Sequence, residues 1–203
     1  GNQYVVAARS AATTLVLDTQ SGASVEVPTM MGASKVDIYD RDPDTDAGLT
    51  AVLMGGDDAV SFINLDTVLK RPENSVQTLP LKSVPSQMVV SGDGRVTLVM
   101  LNSGLTVLDE AAGDLFPLNT FGVVDQTPLY DAQTNAMWLG ISGNTQVAYF
   151  DLAGLHPRTL ELDWPVLQLL HVGGKTPRIV AVHPGADGDV TLIDAKSPST
   201  DSA

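Results

Sequence analysis

The chain has 203 residues, with 24 Asp and Glu against 11 Lys and Arg and a net charge of −13. That balance excludes ordinary electrostatic docking on nucleic acid or an anionic membrane, which needs a basic face. Cysteine is absent, so thiol catalysis, disulfides and thiolate-bound metals are excluded, and no apolar run reaches the roughly 18 residues of a helical membrane span.

Short apolar runs bounded by Gly, Pro, Asn and Asp follow one another along the chain, and no helical apolar period interrupts them. The first group predicts strands at 4–8, 13–17 and 24–28. The second predicts 36–39, 49–54, 59–63 and 75–81, and the third 87–90, 96–101, 105–108 and 115–118. The fourth reads 127–131, 136–141, 146–150 and 158–162. The fifth offers 166–172, 178–182 and 189–193, after which 195–203 is expected to be an irregular tail, since Ser, Thr, Pro and Asp make a poor strand.

These groups are copies of one unit. An apolar strand ending in Asp recurs as Leu15-Val16-Leu17-Asp18, Phe62-Ile63-Asn64-Leu65-Asp66, Thr106-Val107-Leu108-Asp109, Ala148-Tyr149-Phe150-Asp151 and Thr191-Leu192-Ile193-Asp194. The steps between these Asp residues are 48, 43, 42 and 43, the longer first step containing an acidic insertion at 40–48. A period of about 43 residues with four short strands is the signature of a β-propeller blade. The expected fold is therefore all-β, a β-propeller of four-stranded antiparallel blades in about five repeat units, approximately 4–29, 34–81, 84–119, 127–162 and 166–194. The first unit lacks an innermost strand and the last an outermost one. The expectation is a segment of a longer propeller rather than an imperfectly closed five-blade ring, with further propeller strands or another chain covering the open terminal edges.

In its repeat rhythm, and in the hairpin Ser91-Gly92-Asp93-Gly94-Arg95-Val96, the chain resembles the YVTN-type and WD-repeat-like propellers of bacterial surface and periplasmic proteins. Gly92 replaces the Pro common in that hairpin, and the Gly-His and Trp-Asp pairs of eukaryotic WD repeats are missing. The resemblance implies a propeller fold and an exported location, periplasmic or on the bacterial cell surface. It implies no particular activity, because propellers host enzymes, receptors and scaffolds alike. Residues 1–8 begin Gly1-Asn2-Gln3 and carry no basic n-region, so no signal peptide is read in them, and removal of an earlier targeting segment is left open.

Four carboxylates, Asp40, Asp42, Asp44 and Asp46, alternate along one loop. Ca²⁺ takes six to eight oxygens, and such spacing can curl carboxylates around an ion. Thr45 stands where a glycine would permit the sharp turn, and Pro43 stiffens the middle, so a solvated acidic insertion is the competing reading. Tyr39, Tyr130, Asp131 and His171 end inner strands and are candidates for ligand contacts at a channel mouth. His156, His171 and His183 form no spaced metal-binding pair, and Asp57-Asp58 follows Gly55-Gly56 in a tight turn. No Gly-x-Ser-x-Gly elbow occurs, and no catalytic residue is assigned. The functional expectation is a non-enzymatic interaction or scaffold domain with a protein partner and no cofactor apart from the Ca²⁺ candidate. The alternative is a lactonase- or quinoprotein-like enzyme with an Asp/Ca²⁺ site at the channel mouth.

Overall fold

The computed structural model describes residues 3–9, 12–40, 48–91, 96–101, 104–109, 114–118, 128–141, 143–154, 156–185, 188–198 and 200–202. Among these, nineteen strands form five antiparallel sheets. The first holds β1 (Tyr4–Ala8), β2 (Thr13–Asp18) and β3 (Ser24–Pro28). The second holds β4 (Lys35–Asp40), β5 (Leu49–Met54), β6 (Ala59–Asn64) and β7 (Val76–Pro80). The third holds β8 (Pro85–Val90), β9 (Val96–Leu101), β10 (Gly104–Asp109) and β11 (Asp114–Leu118). The fourth holds β12 (Leu129–Asp131), β13 (Ala136–Gly140), β14 (Gln146–Asp151) and β15 (His156–Glu161). The fifth holds β16 (Gln168–Val172), β17 (Arg178–Val182), β18 (Val190–Asp194) and β19 (Thr200–Ser202). In every sheet the spatial order follows the chain order, the up-and-down meander that hairpin turns impose. The helical turn among the described residues is Pro72–Asn74.

Two details differ from the sequence reading. The tail is not irregular throughout, because β19 pairs with β18 in the register Thr191↔Ser202, Leu192↔Asp201 and Ile193↔Thr200. An outermost strand needs only the backbone groups that its neighbour leaves open, so Thr-Asp-Ser pairs there without an apolar face. The strand predicted at 158–162 begins earlier, at His156, opposite Asp151.

The chain divides into two compact units, residues 1–102 with 109–113, and residues 103–108 with 114–203. In the first, Val16 and Val27 of the first sheet pack on Ala51, Leu53 and Ile63 of the second. In the second, Ala136, Trp138 and Val147 of the fourth sheet pack on Leu169, Ile179, Ala181 and Ile193 of the fifth. Continuous apolar runs in β5 and β13 correspond to strands buried on both faces. By contrast β2, β17 and β18 alternate between buried and half-buried positions, so each presents one face to the core.

Two loops of the first unit interlock through glycines. The α-carbon of Gly56 approaches Gly32 so closely that a β-carbon there would lie 2.3 Å from the Gly32 carbonyl oxygen and 2.4 Å from that of Met31. Around this contact Met30 N–H donates to Ser61 Oγ at 2.9 Å, Met31 N–H to Asp57 Oδ2 at 3.3 Å, and Ser34 N–H to the Met54 carbonyl at 2.9 Å. Asp57 thus ties its own turn to the loop that carries Met31.

Candidate functional site

The recurrent strand-end Asp has a local structural role wherever its side chain is described. Asp18 Oδ1 accepts from Gln20 N–H at 2.8 Å and Oδ2 from Ser21 Oγ at 2.7 Å. Asp151 Oδ1 accepts from Ala153 N–H at 2.9 Å, and Asp194 Oδ1 from Lys196 N–H at 2.9 Å. Each is an Asx turn, in which a short carboxylate captures the amide two residues on and starts the bend out of the strand. In the second unit from the N-terminus Asn64 performs this capture, with Asp66 N–H at 3.1 Å, leaving Asp66 Oδ2 to accept from Gly48 N–H at 2.5 Å. The hydrogen bonds from Ser21 and Gln20 hold the Asp18 carboxyl below the usual aspartate range.

Of the four candidate channel-mouth residues, the structure brings Asp131 and His171 together. Asp131 ends β12 and is fully buried, while His171, with a side chain 29 % exposed, lies on β16. His171 Nε2 stands 3.1 Å from Asp131 Oδ1. The same carboxylate accepts from Gln133 N–H at 3.0 Å and from Thr134 Oγ1 at 2.6 Å, so it combines an Asx turn with a link between two neighbouring sheets. Tyr130 turns aside and donates its hydroxyl to Asn135 Oδ1 at 3.0 Å. His171 lines a groove of about 440 Å³ together with Pro128, Leu129, Leu167 and Leu170. Tyr39 and Asp40, the fourth candidate and the start of the acidic loop, end β4 in the other compact unit, opposite Thr50 and Leu49.

Asp42, Asp44 and Asp46 lie outside the described residues. Among the described residues no group of three or more His, Asp or Glu is placed to hold a metal ion. His183 is a packing residue. It is buried, with Nδ1 2.8 Å from the Pro165 carbonyl and Nε2 2.8 Å from Thr191 Oγ1. A carbonyl only accepts, so Nδ1 donates to Pro165, and Nε2 shares a hydrogen bond with the Thr191 hydroxyl.

A second depression was not anticipated from the sequence. Between the fourth and fifth sheets a cleft of about 550 Å³ is lined by Gln133, Tyr149, Asp151, Arg158, Lys196 and Pro198, among others. Tyr149 faces Trp138 on one side and Arg158 on the other in the strand register. Its ring stacks on Trp138 at a centroid distance of 4.8 Å and an interplanar angle of 18°.

Comparison of the coordinates with solved structures places this architecture. The chain superposes on a structure of the dihydro-heme d1 dehydrogenase NirN in complex with DHE, with TM-score 0.63 and 15 % identity over 98 % of this chain and 43 % of that one. The fold is that of a β-propeller. A second match is hydrazine synthase from Kuenenia stuttgartiensis, with TM-score 0.56 and 12 % identity over 98 % of this chain and 64 % of that one. A third is BBS1N in complex with ARL6DN, with TM-score 0.58 and 14 % identity over 96 % of this chain and 58 % of that one. The chain thus spans between 43 % and 64 % of the length of these three chains. No protein-family model and no curated protein sequence matches it. At such identities the likeness concerns the fold, which enzymes and non-enzymes among these structures share.

Proposed function

We propose that this chain is a non-enzymatic β-propeller interaction or scaffold module, of the YVTN- or WD-repeat-like bacterial kind, working in the periplasm or at the cell surface. The observation that carries this reading is the outer face of the fifth sheet. Its inner face supplies Leu169, Ile179, Ala181 and Ile193 to the core. An antiparallel sheet with its second face toward water carries polar residues there. Here that face reads Leu170↔Val180↔Leu192 in one cross-strand row and Gln168↔Val182↔Val190 in the next. Leu170 is 42 % and Val172 50 % exposed, and the adjoining Trp164 and Leu167 are 63 % and 59 % exposed. An exposed apolar surface of this kind, bounded by the polar row Val172↔Arg178↔Asp194, suits a covering polypeptide. The partner is a protein, or further strands of a longer propeller, that lays apolar side chains on this face. BBS1N, solved in complex with ARL6DN, is a propeller-fold neighbour that meets a protein partner.

The test is a comparative capture experiment with the wild type and the double variant Leu170→Glu, Val172→Glu. Both residues are exposed at an inner strand, so the variant is expected to keep its far-ultraviolet circular dichroism. Two buried anchors contribute about 1.5 kcal/mol or more each, so partner affinity should fall about a hundredfold. Proteins retained by the wild type and lost by the variant, then confirmed by titration of the purified pair, support the reading. An identical retained set overturns it.

A further inference from the structure

We propose that the cleft between the fourth and fifth sheets binds a small organic anion, a carboxylate or phosphate carried on a flat or apolar body. Its chemistry differs from the rest of the molecule. Acidic residues outnumber Lys and Arg 24 to 11, so a cation has many potential partners. Arg9 pairs with Glu26 at 3.4 Å and Lys35 with Asp37 at 3.1 Å. Arg158 and Lys196 both line the cleft, and among the described residues neither side chain has an ion-pair or hydrogen-bond partner. The carboxylate at the cleft, Asp151, has Oδ1 engaged by Ala153 N–H. Two cations therefore face one partly committed carboxylate.

The fold holds the backbone that carries this set in place before any ligand arrives. Lys196 follows the Asx turn of Asp194, which fixes its amide at 2.9 Å. Arg158 sits in β15 opposite Tyr149, whose ring is backed by the fully buried Trp138. The two third-to-fourth-strand turns, 151–154 and 194–197, thus form the mouth, and Tyr149, Ala136, Ala195 and Pro198 supply apolar walls. Backbone ordered in advance costs less entropy on binding than a loop that must fold around the ligand. A volume of about 550 Å³ lies within the range of small-molecule sites. The net charge of −13 repels polyanions, which selects a compact ligand of one or two charges. The cations hold the anionic group, the Gln133 amide donates to it, and the flat body lies against Tyr149.

Isothermal titration of the full chain with benzoate, phenyl phosphate and inorganic phosphate tests the assignment. Saturable binding of benzoate or phenyl phosphate is expected, tighter than inorganic phosphate. A matching change in the near-ultraviolet circular dichroism of the Tyr149–Trp138 pair is expected too. The tighter of the two aromatic probes identifies carboxylate or phosphate as the head group. The double variant Arg158→Gln, Lys196→Gln should bind about tenfold more weakly or worse, while Arg158→Lys, Lys196→Arg keeps most of the affinity. Both positions are exposed, so an unchanged melting temperature separates loss of binding from loss of fold. No saturable heat up to about 10 mM of either aromatic probe, or equal affinity in the glutamine variant, overturns the proposal.

Discussion

Gly56→Ala is a steric experiment on the first unit. Gly56 does not use the positive-φ region, so alanine brings no backbone strain of its own. The added β-carbon would lie 2.3 Å from the Gly32 carbonyl oxygen and 2.4 Å from the Gly32 carbonyl carbon and the Met31 carbonyl oxygen. Ordinary contacts of this kind begin near 3.4 Å, so the two loops must part by about 1 Å. They are not free to do so, since Met30, Met31 and Ser34 are each tied by their amides to the second sheet. Overpacking of this sort costs about 1–3 kcal/mol. For a chain of this length that is a fall of roughly 2–12 °C in melting temperature, at about 2–4 °C per kcal/mol. The comparison is Gly22→Ala, at φ +72° with nothing within 4 Å, where the cost is the left-handed conformation alone, about 1 kcal/mol. Urea unfolding followed by circular dichroism reads both. Gly56→Ala as stable as the wild type, or less damaging than Gly22→Ala, would refute the interlock.

Three further outcomes are expected. Asp131→Ala removes the acceptor for Gln133 N–H, Thr134 Oγ1 and His171 Nε2 and should cost about 1–3 kcal/mol in urea unfolding, with His171→Ala costing less because its side chain is partly exposed. Thr191→Val leaves the buried His183 Nε2 without its hydrogen-bond partner and should cost about 1–3 kcal/mol, whereas Thr200→Val, on the outermost strand, should change stability by less than about 0.5 kcal/mol. The hydrogen bonds to Asp18 favour its charged form, so the stability they add is present above the ordinary aspartate pKa near 4 and is lost as the pH falls through the lowered native value. Asp18→Asn should therefore flatten the decline of melting temperature below about pH 4, and an unaltered acid profile would count against that role.

All the strands but β19, and their grouping, were legible from residue order alone, because the signals for both are local. Alternation and continuous apolar runs report burial of one face or two, and Asp at a strand end reports a turn in which its own carboxylate captures the next amides. That capture, seen at Asp18, Asp151 and Asp194, is the physical reason a 43-residue rhythm was legible. What tertiary structure decided lies between units. Asp131 and His171 are forty residues apart and meet because β12 and β16 are neighbours, and each residue alone reads as an ordinary strand end. Gly32 and Gly56 lie on different loops, and only packing brings their backbones into contact. Arg158 and Lys196 carry no motif, and the packing of one sheet on the next gives them a common cleft. The strand β19 was hidden for a related reason: an edge strand is recruited by the open backbone of its neighbour, and backbone groups leave no trace in composition.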